Sequence, residues 1–465
     1  MKNRGIAFLA LGITASMALS GCGSDGNSGA NGGGNAGGTS NTANAGDAAS
    51  NGGGNANAGA ADNGGGDKKV ELRIGTWEGG DGLKIQQQIA DNYKKTHGNV
   101  SISIESVPDQ YGTKILTQIA AGQAPDIFQI GDGDVSMFMK KGALEDLTTY
   151  IGGANGINTG DYYQSVLDVG KLDGKYYTMP KDYSDIAVFY NKKMFDDAGV
   201  AYPQAGWTWD QFYDTAKKLT KKDGDKYTQW GVSLPGSWIR AVLPLIQSYG
   251  GSVISPDGEK IDGYMNSDGT VKALELYQDM YQKDHISPSN TDSEAFKGVD
   301  LFAAGKVAMN MTGRWPAEDY KKNADLQFGV VQMPVGPAGA ANTICYSGYG
   351  LYSKSKNKDA AWDYLKYLTG PEGQELMAQH AFTAVKSTAE KLGQTNDPAL
   401  KAFLDDVPNI KDFPEKISPF FGVSGGKSLQ TVMDKMMLGK PIDVKKELDA
   451  AAKQGDADLQ TAKNE

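Results

Sequence analysis

Residues 176–195 read YYTMPKDYSDIAVFYNKKMF. Apolar and aromatic side chains lie on both sides of a short acidic segment, 181–185, and the run 186–190 is rich in strand-forming residues. The reading is two strands joined by a polar crossing. If the chain leaves one lobe at Pro180 and enters another near Val188, then Asp182 and Tyr183 sit on the floor of a cleft between lobes. Such clefts are where small ligands usually bind.

Upstream of the crossing, Val70, Leu72 and Ile74 alternate with polar residues, so a strand runs to Gly75-Thr76-Trp77-Glu78. A helix over 82–97 and a second alternating strand at Val100, Ile102 and Ile104 follow, which is the opening of an α/β sheet. The pattern predicts another helix over 111–121 and a short buried strand over 125–130. That strand runs into the polar tip Gly131-Asp132-Gly133-Asp134, and open α/β sheets gather ligands beyond the carboxyl ends of their strands.

Downstream, Thr208-Trp209-Asp210-Gln211 is a capping box opening a helix in which Trp209, Phe212, Ala216 and Leu219 share a face, so Trp209 is assigned to the core. Pro235 and Gly236 mark a loop that presents Trp238 at a rim ahead of the apolar run 239–246. Helices are expected over 271–282 and 360–368, the second stopped by Gly370-Pro371, with Trp362 packing beside Leu365 as core.

A chain of 465 residues, 39% hydrophobic, suits two lobes with sizeable cores. The net charge of −10, with no basic block, argues against nucleic acid or an anionic lipid surface as partner. At the start, Lys2 and Arg4 precede an apolar run over 6–19 that is too short to span a bilayer, followed by Leu19-Ser20-Gly21-Cys22. Residues 1–21 are therefore expected to be a signal peptide similar to those of bacterial lipoproteins, whose processing places lipid on Cys22. Residues 22–67 are nearly all Gly, Asn, Ala, Ser, Thr and Asp, have nothing large to bury, and are expected to be a disordered tether. Cys345 would then be the single free thiol, so no internal disulfide is expected.

Catalytic patterns fail on inspection. Gly422-Val423-Ser424-Gly425-Gly426 satisfies G-x-S-x-G, but that order needs a histidine after the serine, and the last histidine is His380. Gly426-Lys427-Ser428 misses the phosphate-loop spacing by one residue. No H-E-x-x-H or paired-cysteine spacing for a metal appears, and no cofactor is expected. Paired carboxylates of a glycosidase stay open, because any two of many acids can meet in a cleft.

The ordered set of segments carries a resemblance. Pro125-Asp126-Ile127, the turn over 142–147, the stretch 177–195 with Tyr190-Asn191-Lys192, 207–219, 296–315, Gly348-Tyr349-Gly350 and 360–374 keep the order found in extracellular solute-binding proteins of ABC importers that capture sugars, the group containing the maltose-binding protein. The resemblance implies a two-lobed α/β fold of the type II periplasmic-binding-protein class, with three crossover segments and a central cleft. The crossings are expected near 182–187, 309–314 and 353–357. One lobe would combine 68–183 with 314–353, and the other 184–313 with 354–465. It implies a carbohydrate ligand, permease subunits as partners, attachment to the outer face of the cell membrane through lipid only, a monomer, and no enzymatic turnover. A non-sugar solute or an anchored glycosidase or lyase are the alternatives.

Sugars offer hydroxyls to carboxylates and apolar ring faces to flat aromatics, so a sugar site interleaves the two. Trp77, Glu78, Tyr111, Asp132, Asp182, Trp238, Arg314, Trp315 and Tyr349 fall in predicted loops or strand ends, and matching positions of the family line the cleft. For each aromatic the competing reading is core packing. For each carboxylate it is a helix cap or solvated surface, and for Arg314 an ion pair across the lobes.

Overall fold

The computed structural model describes residues 69–464, apart from 290, 291, 293, 294, 297, 298, 379, 380 and 439. The expected signal peptide, Cys22 and the tether to residue 67 lie outside the described residues, as does His380. The strands in chain order are Val70–Thr76 (β1), Val100–Ser106 (β2), Ile127–Gly131 (β3), Lys171–Leu172 (β4), Lys175–Tyr176 (β5), Thr178–Ser184 (β6), Ala187–Asn191 (β7), Lys221–Asp223 (β8), Lys226–Ser233 (β9), Val307–Thr312 (β10), Phe328–Val331 (β11) and Cys345–Leu351 (β12). β4 and β5 form a small hairpin.

Two five-stranded sheets form two lobes. The first has the order β2-β1-β3-β12-β6 and the second β11-β7-β10-β9-β8. In the first sheet β1 runs parallel to β2 and β3, while β12 runs antiparallel to β3 and β6. The carboxyl ends of β1, β3 and β6 therefore meet the amino end of β12 along one edge. Local sequence explains the elements. β1 buries Leu72 and Ile74 completely or nearly so, and the Trp209–Leu219 helix has both halves of its capping box formed, with Thr208 Oγ1 accepting from the Gln211 amide and Gln211 Oε1 from the Thr208 amide. Trp209 and Trp362 are 1% and 2% exposed, each in a core.

The chain passes from the first sheet to the second at residues 185–186, between β6 and β7. The expected second and third crossings are corrected. The chain does not return to the first lobe after residue 314. Pro316 precedes the short Ala317–Lys322 helix, whose Tyr320 packs edge-on against Phe189 of β7 at 5.4 Å. β11 then pairs antiparallel with β7, so residues 314–331 belong to the second lobe and the crossing lies between β11 and β12. Residues 354–377 in turn stay with the first lobe. The Lys358–Thr369 helix packs on β6, β12 and β1, with Trp362 Nε1 donating to Asn155 O (3.0 Å) and Asp363 accepting from Tyr93 Oη (2.8 Å). Gln374, in the Pro371–Met377 helix, donates to the Lys181 carbonyl at 2.7 Å. The third crossing comes after Met377 and before the Pro398–Asp406 helix, whose Phe403 meets Phe189 at 5.8 Å.

Asn342 ties the crossings together. Its Nδ2 donates to Asp185 Oδ2 (3.2 Å), the Ile186 carbonyl (2.8 Å) and Asp406 Oδ2 (2.6 Å), and its Oδ1 accepts from the Ile186 amide (3.2 Å). Burial, then the neighbouring Asp406, pushes the Asp185 carboxyl well above the usual carboxylate range.

Candidate functional site

At the edge where β1, β3 and β6 end, a cavity of about 410 Å³ opens between the lobes. Trp77 follows β1, Asp132 follows β3, and Asp182 lies in β6, so three strands of one sheet, all running the same way, deliver them to one place. Trp238 and Trp315 enter from the second lobe, ahead of the Ile239–Ser248 and Ala317–Lys322 helices. These five and Glu78 line the cavity.

The first-lobe wall is a hydrogen-bonded network. Thr76 Oγ1 accepts from the Glu78 amide (3.1 Å) and from Gln86 Nε2 (3.0 Å), and donates to Gln129 Oε1 (2.5 Å). Gln129 Nε2 in turn donates to Ser347 Oγ (2.9 Å) and to Glu78 Oε1 (3.3 Å). Lys181 Nζ reaches Glu78 Oε1 at 3.0 Å and also binds Asp182 Oδ2. Burial opposes the Lys181 charge, but Asp182 and Glu78 outweigh it and hold the ammonium above its ordinary range. Burial pushes Asp182 up, and Lys181 pulls it back only in part.

Asp132 is held on both oxygens. Tyr346 donates its amide to Oδ2 (2.9 Å), and Arg240 Nη2, from the second lobe, reaches Oδ1 at 3.1 Å. Arg240 also pairs with Glu415 at 2.9 Å and lies 4.0 Å over the Phe413 ring, itself only 6% exposed. A buried cation thus joins the lobes beside the cavity.

The second-lobe wall is apolar. Trp238 and Trp315 are 40% and 43% exposed, unusual for this residue type, and their rings sit 5.9 Å apart at 55°. Gly313 makes the Trp315 pose possible, since a Cβ there would stand 2.1 Å from the ring atom Cζ3. Trp77, by contrast, rests edge-on against Tyr111 at 5.4 Å and 81°.

Three candidates lie elsewhere. Tyr111 is buried behind Trp77, its hydroxyl donating to the Gln129 carbonyl (2.9 Å), so it supports the ring without lining the cavity. Tyr349 is fully buried at mid-strand in β12, opposite Gln129 and Met179, because only the first residues of that antiparallel strand, Cys345 to Ser347, reach the cavity. Arg314 is 3% exposed beside the 185–186 crossing, its amide bonded to Ser184 Oγ (2.9 Å), its guanidinium near Glu318 (3.3 Å) and over the Phe382 ring. Burial holds its pKa below the usual guanidinium value.

Reading residues one at a time missed Lys181, Gln129, Ser347 and Arg240. A buried strand carrying a glutamine at position 129 was the one available signal. The polar tip after β3 proves to be the first turn of the Asp132–Lys140 helix. The G-x-S-x-G serine, Ser424, is fully buried and donates to the Phe420 carbonyl (2.7 Å). Among the described residues no cluster of three or more potential metal ligands occurs, and no helix is long and apolar enough to cross a membrane.

Residues 76–375 match the sequence profile of bacterial extracellular solute-binding proteins. A maltotriose-binding protein of Pyrococcus abyssi is 25% identical, covering 71% of this chain and 67% of the relative. The diacetylchitobiose binding protein of Streptomyces coelicolor is 26% identical over 60% of this chain and 65% of its own length. In fold, the chain is similar to an ABC substrate-binding protein of Listeria monocytogenes in complex with cycloalternan, with a TM-score of 0.72, 24% identity, and coverage of 85% of this chain and all of that one.

Proposed function

This chain belongs to the bacterial extracellular solute-binding protein family, and from that premise we infer that it captures a mono- or oligosaccharide in the cleft and delivers it to the permease of an ABC importer. One observation carries the reading. The cavity sets three tryptophans, Trp77, Trp238 and Trp315, against carboxylates and amides, Glu78, Asp182 and Gln129. Flat rings suit the apolar faces of pyranoses, and fixed carboxylates accept hydroxyl protons. Relatives named for maltotriose and diacetylchitobiose support the same ligand class.

The binding is reversible and leaves the sugar intact. The carboxylates of the cavity that a glycosidase would use are engaged, Asp182 and Glu78 with Lys181 and Asp132 with Arg240. The protein works as a monomer tethered through lipid on Cys22. The apolar run ending in Leu-Ser-Gly-Cys supports the anchor, as does a maltooligosaccharide-binding relative of Streptococcus pneumoniae named as a lipoprotein.

Thermal melting of the full chain against a panel of neutral mono- and oligosaccharides tests the reading. A sugar at 100 times its Kd adds about 2.7 kcal/mol, and mass spectrometry of the mixture should return it intact. No stabilisation by any sugar removes the reading, and protein-dependent cleavage replaces it with the glycosidase. Cys22→Ser should abolish lipid labelling; unchanged labelling rules out the anchor.

A further inference from the structure

Side chains of adjacent strand residues point to opposite faces of a sheet. The four consecutive residues Lys181 to Ser184 of β6 all line the cavity, since the strand ends there. What sets Lys181 apart is a break in register. Opposite β12, Asp182 pairs with Ser347 and Pro180 with Gly348, so Lys181 is the extra residue of a β-bulge. Bulges re-aim side chains, and proline, which has no N–H to give the ladder, is tolerated beside one. The bulge is fixed from behind, where Gln374, fully buried, donates to the Lys181 carbonyl at 2.7 Å.

The re-aimed ammonium lands between two carboxylates that approach from different strands. It takes Glu78 Oε1 at 3.0 Å and Asp182 Oδ2, and its side chain is 11% exposed against 23% and 21% for the two acids. Lys181 is the sole basic side chain lining the cavity among the described residues. Its charge is spent on two acids, so this floor sets two carboxyl groups against one ammonium. Asp132 adds nothing positive, because Arg240 behind it is shared with Glu415.

We propose that Lys181 sets the ligand class of this cleft as a positioning residue: it holds the Glu78 and Asp182 carboxyls side by side and has no charge left for a ligand, which admits uncharged or amine-bearing sugars and shuts out phosphorylated or carboxylated ones. This rests on the carbohydrate reading above. An anionic group entering this floor meets two carboxylates and no uncommitted cation, and like charges forced together in a partly dry site are strongly disfavoured. A sugar hydroxyl meets acceptors already oriented, and hydrogen bonds to charged acceptors are the stronger kind. Around Asp182, the other described groups that charge or titrate include Arg314, which pulls Asp182 down, and Tyr183, Tyr346 and Tyr349, all held neutral by burial. Lys181 is the dominant counter-charge.

The experiment has two arms, each read by calorimetry on the full chain. In the first, the neutral sugar that stabilises the protein best in the melting panel is compared with its 6-phosphate and its uronic acid. The charged derivatives should bind at least about tenfold more weakly. Equal or tighter binding of either overturns the inference while leaving carbohydrate capture standing, whereas failure of every sugar removes capture itself. In the second arm, Lys181→Met should weaken the neutral sugar roughly tenfold at pH 7, and its affinity should climb as pH rises from 5 to 8, because Asp182, pushed up by burial, loses the ammonium that pulls it back down. The parent should show a flatter profile, and Lys181→Arg should restore most of both. A methionine variant with the parent's pH profile and the parent's discrimination against the phosphate overturns the role of Lys181. Should the variant melt too low to assay, the first arm and the arginine variant still decide.

Discussion

The two walls of the cleft solve the problem of holding a ligand in opposite ways. The first-lobe wall is polar and interlocked, with Thr76, Gln129, Glu78, Lys181 and Asp182 bonded to one another. The second-lobe wall is two exposed indoles set 5.9 Å apart. The difference follows from what each group costs to keep. A desolvated carboxylate needs its partners in place before a ligand arrives, whereas a tryptophan has two side-chain torsions and loses little entropy when a ring face is covered. Charge demands a framework and apolar surface does not. Breaking the polar side should therefore show in stability as well as affinity, and breaking the indole side in affinity alone.

The largest expected effect is at Arg240, the cation behind the polar wall. Arg240→Met leaves Asp132 and Glu415 as neighbouring acids without their counter-charge, and removing one member of a buried ion pair costs roughly 3–5 kcal/mol. Burial pushes Glu415 up, and Arg240 now restrains it. The loss should accordingly shrink toward pH 5, where the freed Glu415 takes up a proton. Melting of parent and variant across pH 5–8 checks this, and a loss of under about 1 kcal/mol at pH 7 would show that the pair is a surface contact.

On the indole wall, Trp315→Ala should cut sugar affinity about ten- to hundredfold, from roughly 1.5–3 kcal/mol of lost apolar contact, with little change in melting without ligand. A core tryptophan behaves the other way. Trp209→Ala should cost roughly 3–5 kcal/mol of stability. Gly313→Ala sharpens the contrast, because its Cβ displaces the Trp315 ring without deleting it and should reproduce part of the affinity loss. Large melting losses for both Trp315→Ala and Gly313→Ala would place Trp315 among the core residues and erase the distinction between walls.

What sequence reasoning reached, and what it did not, follows the same divide. Features carried by consecutive residues were legible: the alternation of β1, the capping box at Thr208, the core positions of Trp209 and Trp362, and Trp238 at a rim. Features made by distant pairing were not. The bulge that turns Lys181 into the cavity exists only in the register between β6 and β12, whose paired residues lie more than 160 positions apart. Arg240 reads as one polar residue in an apolar helix until Asp132 stands 108 positions away in sequence and 3.1 Å away in space. β11, four residues long, gave too little pattern to show that the chain makes a further pass through the second lobe, so the later crossings were misplaced. Tyr349 and Arg314 carry the residue types of a sugar site but lie outside it, Tyr349 two residues along β12 from Ser347, the last of that strand to reach the cavity, and Arg314 buried against Ser184.

The smallest effect concerns a region that belongs to neither wall. At the crossings Asp185 is 1% exposed, its Oδ2 takes one hydrogen bond from Asn342, and Oδ1 has no partner among the described residues. Its pKa is raised in the folded chain from 3.8, by burial first and Asp406 second. A carboxyl whose folded pKa lies above its unfolded one contributes its full stability below about pH 4 and loses that contribution as pH rises through the folded value. Asp185→Asn keeps the acceptor for Asn342 and removes the titration. The variant should therefore match the parent near pH 4 and melt higher at pH 8, by about 1 kcal/mol, the lower end of what an unsatisfied buried acceptor costs. Since the substitution touches neither the interlocked acids nor the indoles, affinity at pH 7 should change less than for any variant above. A melting difference that stays constant from pH 4 to 8 would mean that Asp185 does not titrate there, and a large affinity change at constant stability would mean that the crossing itself governs how the two walls meet.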